Sequence, residues 1–327
     1  MSSRHLVDPE LLAALEMFPP LHLSRANLPE LRENIADALR RGATDDCQPV
    51  ITECIEFPGP PGAPAVAARL HRPKHQVADT GILLHIHGGG YITGSSLMAD
   101  TENRRICGEL GCCIVSVDYR LAPETPFPGA LEDCYAVLKA LYSGYSEIHG
   151  DRSRIAISGD SAGGGLAAAV ALLARDRAEV SLALQHLIYP MLDDRTCIRP
   201  NISANCGDLV WTVEHNRFGW GSFLNGAPGH KDVSPYAAPA RAGDLARLPP
   251  TFICVGALDL FLEENLEYAR RLAAAGVPVE LHVYPGAFHG FRLARSAGVT
   301  RQSLHDSLES LRRVLAPPDA AIGRSRA

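Results

Sequence analysis

The sequence predicts an α/β fold: a mainly parallel central sheet with helices on both of its faces. Three observations point there. Short, nearly continuous apolar runs recur, as in Gly81–His87, Cys112–Val117 and Thr251–Gly256, which is how strands buried on both faces read. They alternate with helical segments, and that alternation builds a parallel sheet between helix layers. Each stretch of chemical interest lies just past the end of a strand, the edge at which open α/β sheets bind ligands.

In chain order, residues 1–48 read as amphipathic helices. Pro9 opens one through Leu11, Leu12, Leu15 and Met17, and Pro19–Pro20 break it. Leu28, Leu31, Ile35 and Leu39 then recur at helical spacing up to Gly42. No strand precedes these helices, so they are expected to lie across another part of the molecule, as packing or as part of a lid. Residues 50–58 and 65–71 read as a hairpin around Pro58-Gly-Pro-Pro-Gly-Ala-Pro64. The strand Gly81–His87 runs into His87-Gly-Gly-Gly-Tyr91, and a helix follows over Asp100–Leu110. The strand Cys112–Val117 runs into Asp118-Tyr-Arg-Leu-Ala-Pro-Glu124, with a helix over Ala130–Leu141. Ile155–Ile157 lead into Gly159-Asp-Ser-Ala-Gly163, and an Ala/Leu-rich helix is expected over Leu166–Arg175.

A strand over Leu182–Tyr189 ends at Pro190. From about 195 to 230 the rhythm lapses, which reads as an inserted segment lying beside the N-terminal helices. Thr251–Gly256 is a strand with Asp259 just beyond it, Glu263–Ala275 a helix, and Val279–Tyr284 the last strand. His289 sits between Gly286 and Gly290, Gln302–Leu315 form the final helix, and the chain from Pro317 reads as a frayed tail.

Composition narrows the function. The 327 residues are 46% hydrophobic and 21% charged, ordinary for a globular protein, and the length suits one large α/β domain with an insertion or two smaller domains. A formal net charge of -6 offers no basic face for nucleic acid or an anionic membrane. No run approaches the roughly 18 apolar residues of a membrane span. The N-terminus lacks a basic segment followed by an apolar run, so a cytoplasmic location is expected. Nine cysteines, an odd count with no C-x-x-C and with Cys112 and Cys113 adjacent, argue for reduced, mostly buried thiols rather than disulfides or a zinc site.

The stretch Gly159-Asp-Ser-Ala-Gly163 organises the chemistry. A serine on a tight strand-to-helix turn, with glycine two before and two after, is the nucleophile-elbow pattern. The serine backbone is strained there, so bulky neighbours are excluded, and its hydroxyl is lifted to the top of the sheet. An activated serine needs a base, an orienting carboxylate and oxyanion donors. Among thirteen histidines, His282 lies within a strand, whereas His289 sits in a glycine-flanked loop that can reach across the sheet edge. Asp259 follows the preceding strand, one helix and one strand earlier, which places the two loops side by side. It has competitors. Asp160 adjoins the serine as a polar contact of the turn, and Glu263 and Glu264 open a helix, where carboxylates favour the positive end. The backbone N–H after the nucleophile, on Ala162, and those of His87-Gly-Gly-Gly90 are the candidate oxyanion donors, because consecutive glycines let N–H groups converge on one oxygen. The order Ser161, Asp259, His289 is that of α/β hydrolases.

This combination resembles the bacterial hormone-sensitive-lipase-like carboxylesterases of the α/β-hydrolase fold. The residues that carry the resemblance are His87-Gly-Gly-Gly-Tyr91, Asp118-Tyr-Arg-Leu-Ala-Pro-Glu124, Phe127-Pro128, Gly159-Asp-Ser-Ala-Gly-Gly164, Asp259 and Pro285-Gly-Ala-Phe-His-Gly290. It implies Ser161 as nucleophile, His289 as base then acid, and Asp259 as its orienter. It implies Gly89 and Gly90 with Ala162 as oxyanion donors, and Gly88 as the first glycine of that loop. It further implies a helical cap from the N-terminal helices and an insertion after the sixth strand. The expected division is then 1–48 as N-terminal cap helices, 49–194 and 231–327 as the two parts of the α/β-hydrolase core, and 195–230 as the cap insertion. One departure stands out: the family often has Asp-Pro-Leu-x-Asp-Glu around the acid, where this chain has Asp259-Leu-Phe-Leu-Glu-Glu264.

The expected reaction is two-step acyl transfer on a small-molecule ester, with no metal and no cofactor, falling off at acidic pH as the base protonates. The family leans toward short and medium acyl chains. Amide, carbamate or lactone hydrolysis would use the same machinery, and a noncatalytic ligand receptor of this fold would lack the base. A nucleotide-binding reading meets no G-x-x-x-x-G-K-[ST], and Gly88-Gly-Gly90 followed by Tyr91-Ile-Thr93 misses G-x-G-x-x-G. A metal site on His85-x-His87 has no third ligand cluster beside it. Tyr91, Asp160, Trp211 and Phe218 are candidate pocket residues, although inserted aromatics such as Trp211, Phe218, Trp220 and Phe223 more often form a core. The resemblance also raises a homodimer through a core edge strand or its helix.

Overall fold

The computed structural model describes residues 3–16, 18, 22–42, 49–75, 79–145, 147–200 and 202–317. Met17, Pro19, Pro20, residues 43–48 and the tail after Pro317 therefore lie outside the described residues. The eight strands are β1 (Val50–Phe57), β2 (Val66–Pro73), β3 (Ile82–Ile86), β4 (Cys113–Val117), β5 (Ile155–Asp160), β6 (Leu184–Ile188), β7 (Thr251–Gly256) and β8 (Val279–Tyr284). They form one sheet in the order β1-β2-β4-β3-β5-β6-β7-β8. Only β2 runs against its neighbours β1 and β4; every other pair is parallel. The predicted hairpin and buried strands are therefore present, with ends shifted by at most three residues.

The helices are α1 (Leu12–Leu15), α2 (Leu28–Gly42), α3 (Asp100–Leu110), α4 (Gly129–Ser143), α5 (Ala162–Arg177), α6 (Val213–Leu224), α7 (Leu262–Ala274) and α8 (Gly298–Leu315). Alternate strand residues face opposite sides, and this divides the core. Leu84, Ile86 and Ile157 join α4 and α5 residues such as Leu138 and Leu166 in the main cluster. Leu83, Ile114 and Ala156 pack on the other side with Ile106 and Leu110 of α3 and Leu308 and Leu311 of α8.

The predicted Leu166–Arg175 helix begins four residues earlier, at Ala162. Gly163, Gly164 and Gly165 form its first turn rather than a loop, because that turn is pressed against strand ends. A Cβ on Gly163 would lie 2.1 Å from the Ile86 carbonyl oxygen, and one on Gly165 2.1 Å from that of Met191.

Near the N-terminus, Asp8 caps a short 3-10 turn over Pro9–Leu11 that leads into α1. Leu11 and Leu15 pack with Tyr189, Phe288 and Phe291, next to loops that carry predicted site residues. Helix α2 is clamped by Arg32, which donates to the Ile92 and Ala122 carbonyls and to both oxygens of Glu124. In the irregular stretch after β6, the Thr212 hydroxyl and the His215 ring cap the start of α6 reciprocally. Trp220 and Phe223 of α6 are buried against Tyr91. Ser3 donates from its backbone N–H to Asp208 at 2.8 Å, joining the N-terminus to this inserted stretch.

Candidate active site

The sheet register determines which loops meet. β3 and β5 are neighbours, with Ile86 opposite Gly159, so the glycine loop after β3 abuts the serine turn after β5. β7 and β8 are neighbours, with Gly256 opposite Tyr284, so the loops bearing Asp259 and His289 lie together.

Ser161 has φ 56° and ψ −118°, a strained conformation for a residue with a Cβ. Its surroundings hold it there. Its N–H donates to the Ile188 carbonyl, and its own carbonyl accepts from Met191 and Gly165. Gly159 is required because a Cβ would stand 2.2 Å from the Gly163 oxygen. The Ser161 hydroxyl lies 2.9 Å from Nε2 of His289, and Nδ1 of His289 lies 2.8 Å from Oδ2 of Asp259. An ionised carboxylate only accepts, so Nδ1 carries the proton and Nε2 presents its lone pair to the serine O–H. Asp259 is 0% exposed, and Ser161 and His289 are each 7% exposed.

The missing proline of the acid loop does no harm. Oδ1 of Asp259 accepts the Phe261 N–H at 2.9 Å, which fixes the carboxylate, and the Phe261 ring stands edge-on to His289. The competing carboxylates are engaged elsewhere. Asp160 bonds Nε2 of His85 at 3.1 Å, Glu264 accepts the Leu192 N–H at 2.6 Å, and Glu263 lies 3.6 Å from Arg199.

The glycine loop winds through positive φ at Gly89 (112°), Gly90 (62°) and Tyr91 (67°). Gly88 packs against Asp160 and Ser161, and Gly88 and Gly89 line the cavity at the serine. Ala162 opens α5, so its N–H belongs to the first helical turn, which has no intrahelical acceptor. His87 braces the loop: its Nδ1–H donates to the Gly88 carbonyl at 2.7 Å and its ring stacks on Tyr119, whose hydroxyl donates to the His87 carbonyl. This pairing, and that of His85 with Ser116 and Asp160, gives both histidines of the His85-x-His87 pattern a hydrogen-bonding role in the sheet edge.

The family model that matches, described as alpha/beta hydrolase fold, spans residues 83–293. The chain belongs to this family. Esterase LipI of Mycobacterium tuberculosis is 33% identical over 87% of this chain and 88% of the relative. Carboxylesterase NlhH of the same species is 31% identical over 87% and 88%. Among solved structures, Bacterial Heroin Esterase superposes with a TM-score of 0.88 at 38% identity, covering 96% of this chain and 99% of that one. The hormone-sensitive-lipase-like esterases implied by the motifs are thus the hydrolases it is similar to along most of its length.

The hydrolase has a cavity of about 250 Å³ at Ser161. Of the four predicted pocket residues, Asp160 lines it, whereas Trp211 is not in its lining and stands against the glycine loop and His289. The Trp211 ring covers Gly90, where a Cβ would come within 2.3 Å of it, and its centroid is 6.3 Å from that of His289. The other two need correction as well. Tyr91 is buried in the core, stacked on Phe223 with its hydroxyl donating to the Met191 carbonyl, and Phe218 packs on the main core; neither lines the cavity. An aromatic of that size gains more by filling the space between α6 and the glycine loop than by facing water. Residues that sequence reasoning misses take the wall instead: Phe18, Tyr189, Val210 and Arg292. Arg292 lies three residues past His289, but only tertiary packing shows that it turns inward.

Burial also shapes the response to acid. His87 is lowered to about 4, and His71 and His186 to about 3, chiefly by desolvation. The unfolded chain takes up these protons near pH 6.5, whereas the folded chain resists them until about 4 or 3. Protons therefore bind preferentially to the unfolded state, and stability is lost as pH falls through that window. Thermal melts should show a Tm that is level from pH 8 to 7 and falls steeply between pH 6.5 and 4. A Tm unchanged down to pH 5 would contradict this.

Proposed function

We propose that the chain is a serine carboxylesterase that hydrolyses short to medium acyl esters through an acyl-enzyme. The single observation that supports this most is the unbroken relay from Ser161 through His289 to Asp259, at 2.9 and 2.8 Å. His289 takes the serine proton as Oγ attacks the ester carbonyl, then protonates the departing alcohol. Water enters by the same route in reverse and frees the acid. The N–H groups of Gly88, Gly89, Gly90 and Ala162 are assigned to the oxyanion, where one donor is worth roughly 10²–10³ in turnover. No step calls for a metal or a cofactor.

The N-terminal helices and residues 195–230 are read as a cap, since Phe18 and Val210 contribute to the wall of the cavity. Its volume of about 250 Å³ lies below the roughly 300–1,000 Å³ of sites for drug-sized ligands, which favours small esters over long-chain triglycerides. The same machinery would serve amides, carbamates or lactones, while the presence of His289 weighs against a noncatalytic receptor. A cytoplasmic setting is favoured by the cysteines, which are free among the described residues. A homodimer is favoured by the sheet edge at β8, where Leu281 and Val283 are exposed. No described helix is long and apolar enough to cross a membrane. A p-nitrophenyl ester series from acetate to palmitate tests the substrate range. kcat/KM should peak between acetate and octanoate and drop sharply beyond it; a maximum at palmitate would refute the reading.

A further inference from the structure

Three features that run against ordinary backbone and helix preferences meet at one point of the glycine loop. The first is Val210. Its φ is 59°, an outlier for a β-branched residue. The Trp211 N–H donates across it to the Leu209 carbonyl at 2.7 Å, so Val210 is the centre of a three-residue turn of the strained kind. The second is Gly219, in the interior of α6, where glycine is among the least favourable residues. The third is Gly90, at φ 62°.

The first two features both end on the third. The turn at Val210 lays the Trp211 ring over Gly90, where a Cβ would stand 2.3 Å from it. Gly219 lets α6 approach the same residue: a Cβ there would lie 2.9 Å from the Gly90 carbonyl oxygen and 3.5 Å from the Trp211 ring. Trp211 is itself fixed, its Nε1–H donating to Oδ1 of the buried Asn216 at 3.3 Å. It is not in the lining of the cavity, so it meets the loop rather than the ester. Other bonds hold the loop up to Gly89. Thr93 donates to the Gly89 carbonyl from its N–H and its hydroxyl, and His87 to the Gly88 carbonyl. These bonds stop one residue short of the point that Trp211 and Gly219 cover. Backbone strain persists where the surroundings over-determine it, and it clusters at functional sites.

We propose that Trp211, together with Gly219, clamps Gly90 and so holds the glycine loop in the shape that presents its N–H groups to the oxyanion. Trp211 is a positioning residue, acting through the loop. The inserted segment then serves the chemical step as well as covering the cavity. This rests on Ser161 being the nucleophile of a carboxylesterase.

The test measures p-nitrophenyl butyrate hydrolysis and inhibition by 1,1,1-trifluoroheptan-2-one. Ser161 Oγ bonds the ketone carbon, His289 takes the serine proton, and the carbonyl electron pair becomes an alkoxide at the oxyanion donors. kcat is taken per Ser161 titrated by an organophosphate, so unfolded enzyme cancels. In Trp211→Ala, kcat should fall at least tenfold, part of the roughly 10²–10³ that a whole donor contributes. KM should stay within threefold of wild type, because the oxyanion exists only past the ground state. Ki for the ketone should rise by about the factor lost in kcat. Trp211→Phe, which keeps a ring over Gly90, should recover most of the loss. Gly219→Ala is an independent route: alanine favours the helix, yet its Cβ displaces the Gly90 carbonyl, so kcat and ketone affinity should fall together while Tm holds. The proposal is overturned if Trp211→Ala loses less than tenfold in kcat, if its loss lies in KM, if ketone Ki stays at the wild-type value, or if Gly219→Ala leaves both readouts unchanged. Failure of the underlying reading looks different: the wild type hydrolyses no ester and takes up no organophosphate, or Ser161→Ala binds the ketone as tightly as wild type.

Discussion

Ser161→Ala is expected to lose at least 10⁴-fold in kcat on p-nitrophenyl butyrate while keeping its fold, the scale seen when a triad nucleophile is removed. The side chain lost is small, and the elbow is held by backbone contacts: the Ser161 N–H on Ile188 and its carbonyl on Met191 and Gly165. Alanine would adopt the same strained φ of 56°, so Tm should stay near that of wild type. The deficit should appear in kcat rather than KM, because the hydroxyl contributes to bond formation and little to holding the ester. An organophosphate should add once, at Ser161 of the wild type, and not to the variant, as read by peptide mass spectrometry. Wild-type turnover in the alanine variant, or an adduct on another residue, would remove Ser161 from the mechanism.

Much of this site is legible in the sequence because its parts are local. Ser161, the glycine loop after β3, Asp259 and His289 each sit within a few residues of a strand end, and a parallel sheet brings such ends to one edge. Strand periodicity locates the edge, and the glycine pattern locates the turns. What escapes a reading of the sequence is set by packing between distant elements. Tyr91 and Phe218 read as pocket aromatics, yet Tyr91 fills the space between α6 and the glycine loop and Phe218 packs on the main core. The start of α5 is hidden because Gly163–Gly165 lower helix propensity, a local cost outweighed by the close approach of the helix to Ile86 and Met191. The part of the cavity wall that Asn103 of α3, Ser307 of α8 and Arg292 supply is hidden too, because such polar residues look in sequence like the solvated faces of surface segments.

Asp259→Asn separates orientation from nucleophilicity, and its expected cost is about 10⁴ in kcat. The carboxylate now performs two tasks: Oδ2 accepts the His289 Nδ1–H at 2.8 Å and Oδ1 accepts the Phe261 N–H at 2.9 Å. An asparagine can accept only through its single oxygen. If that oxygen turns to Phe261, the amide NH₂ faces Nδ1 and stabilises the tautomer with the proton on Nε2. The imidazole then donates to Ser161 instead of accepting from it, and the base is lost. If the oxygen turns to His289, two donors collide at the buried Phe261 N–H, a geometry that costs on the order of 1–3 kcal/mol. The first arrangement is favoured, so the variant should fold, bind ester with little change in KM and turn over slowly. His289→Ala should be nearly as slow, and the double variant with Asp259→Asn only slightly slower than either, because the two residues act as one unit. A loss smaller than tenfold would mean that another carboxylate orients the imidazole. Asp160, Glu263 and Glu264 would each have to leave the partners that now hold them: His85, Arg199 and the Leu192 N–H.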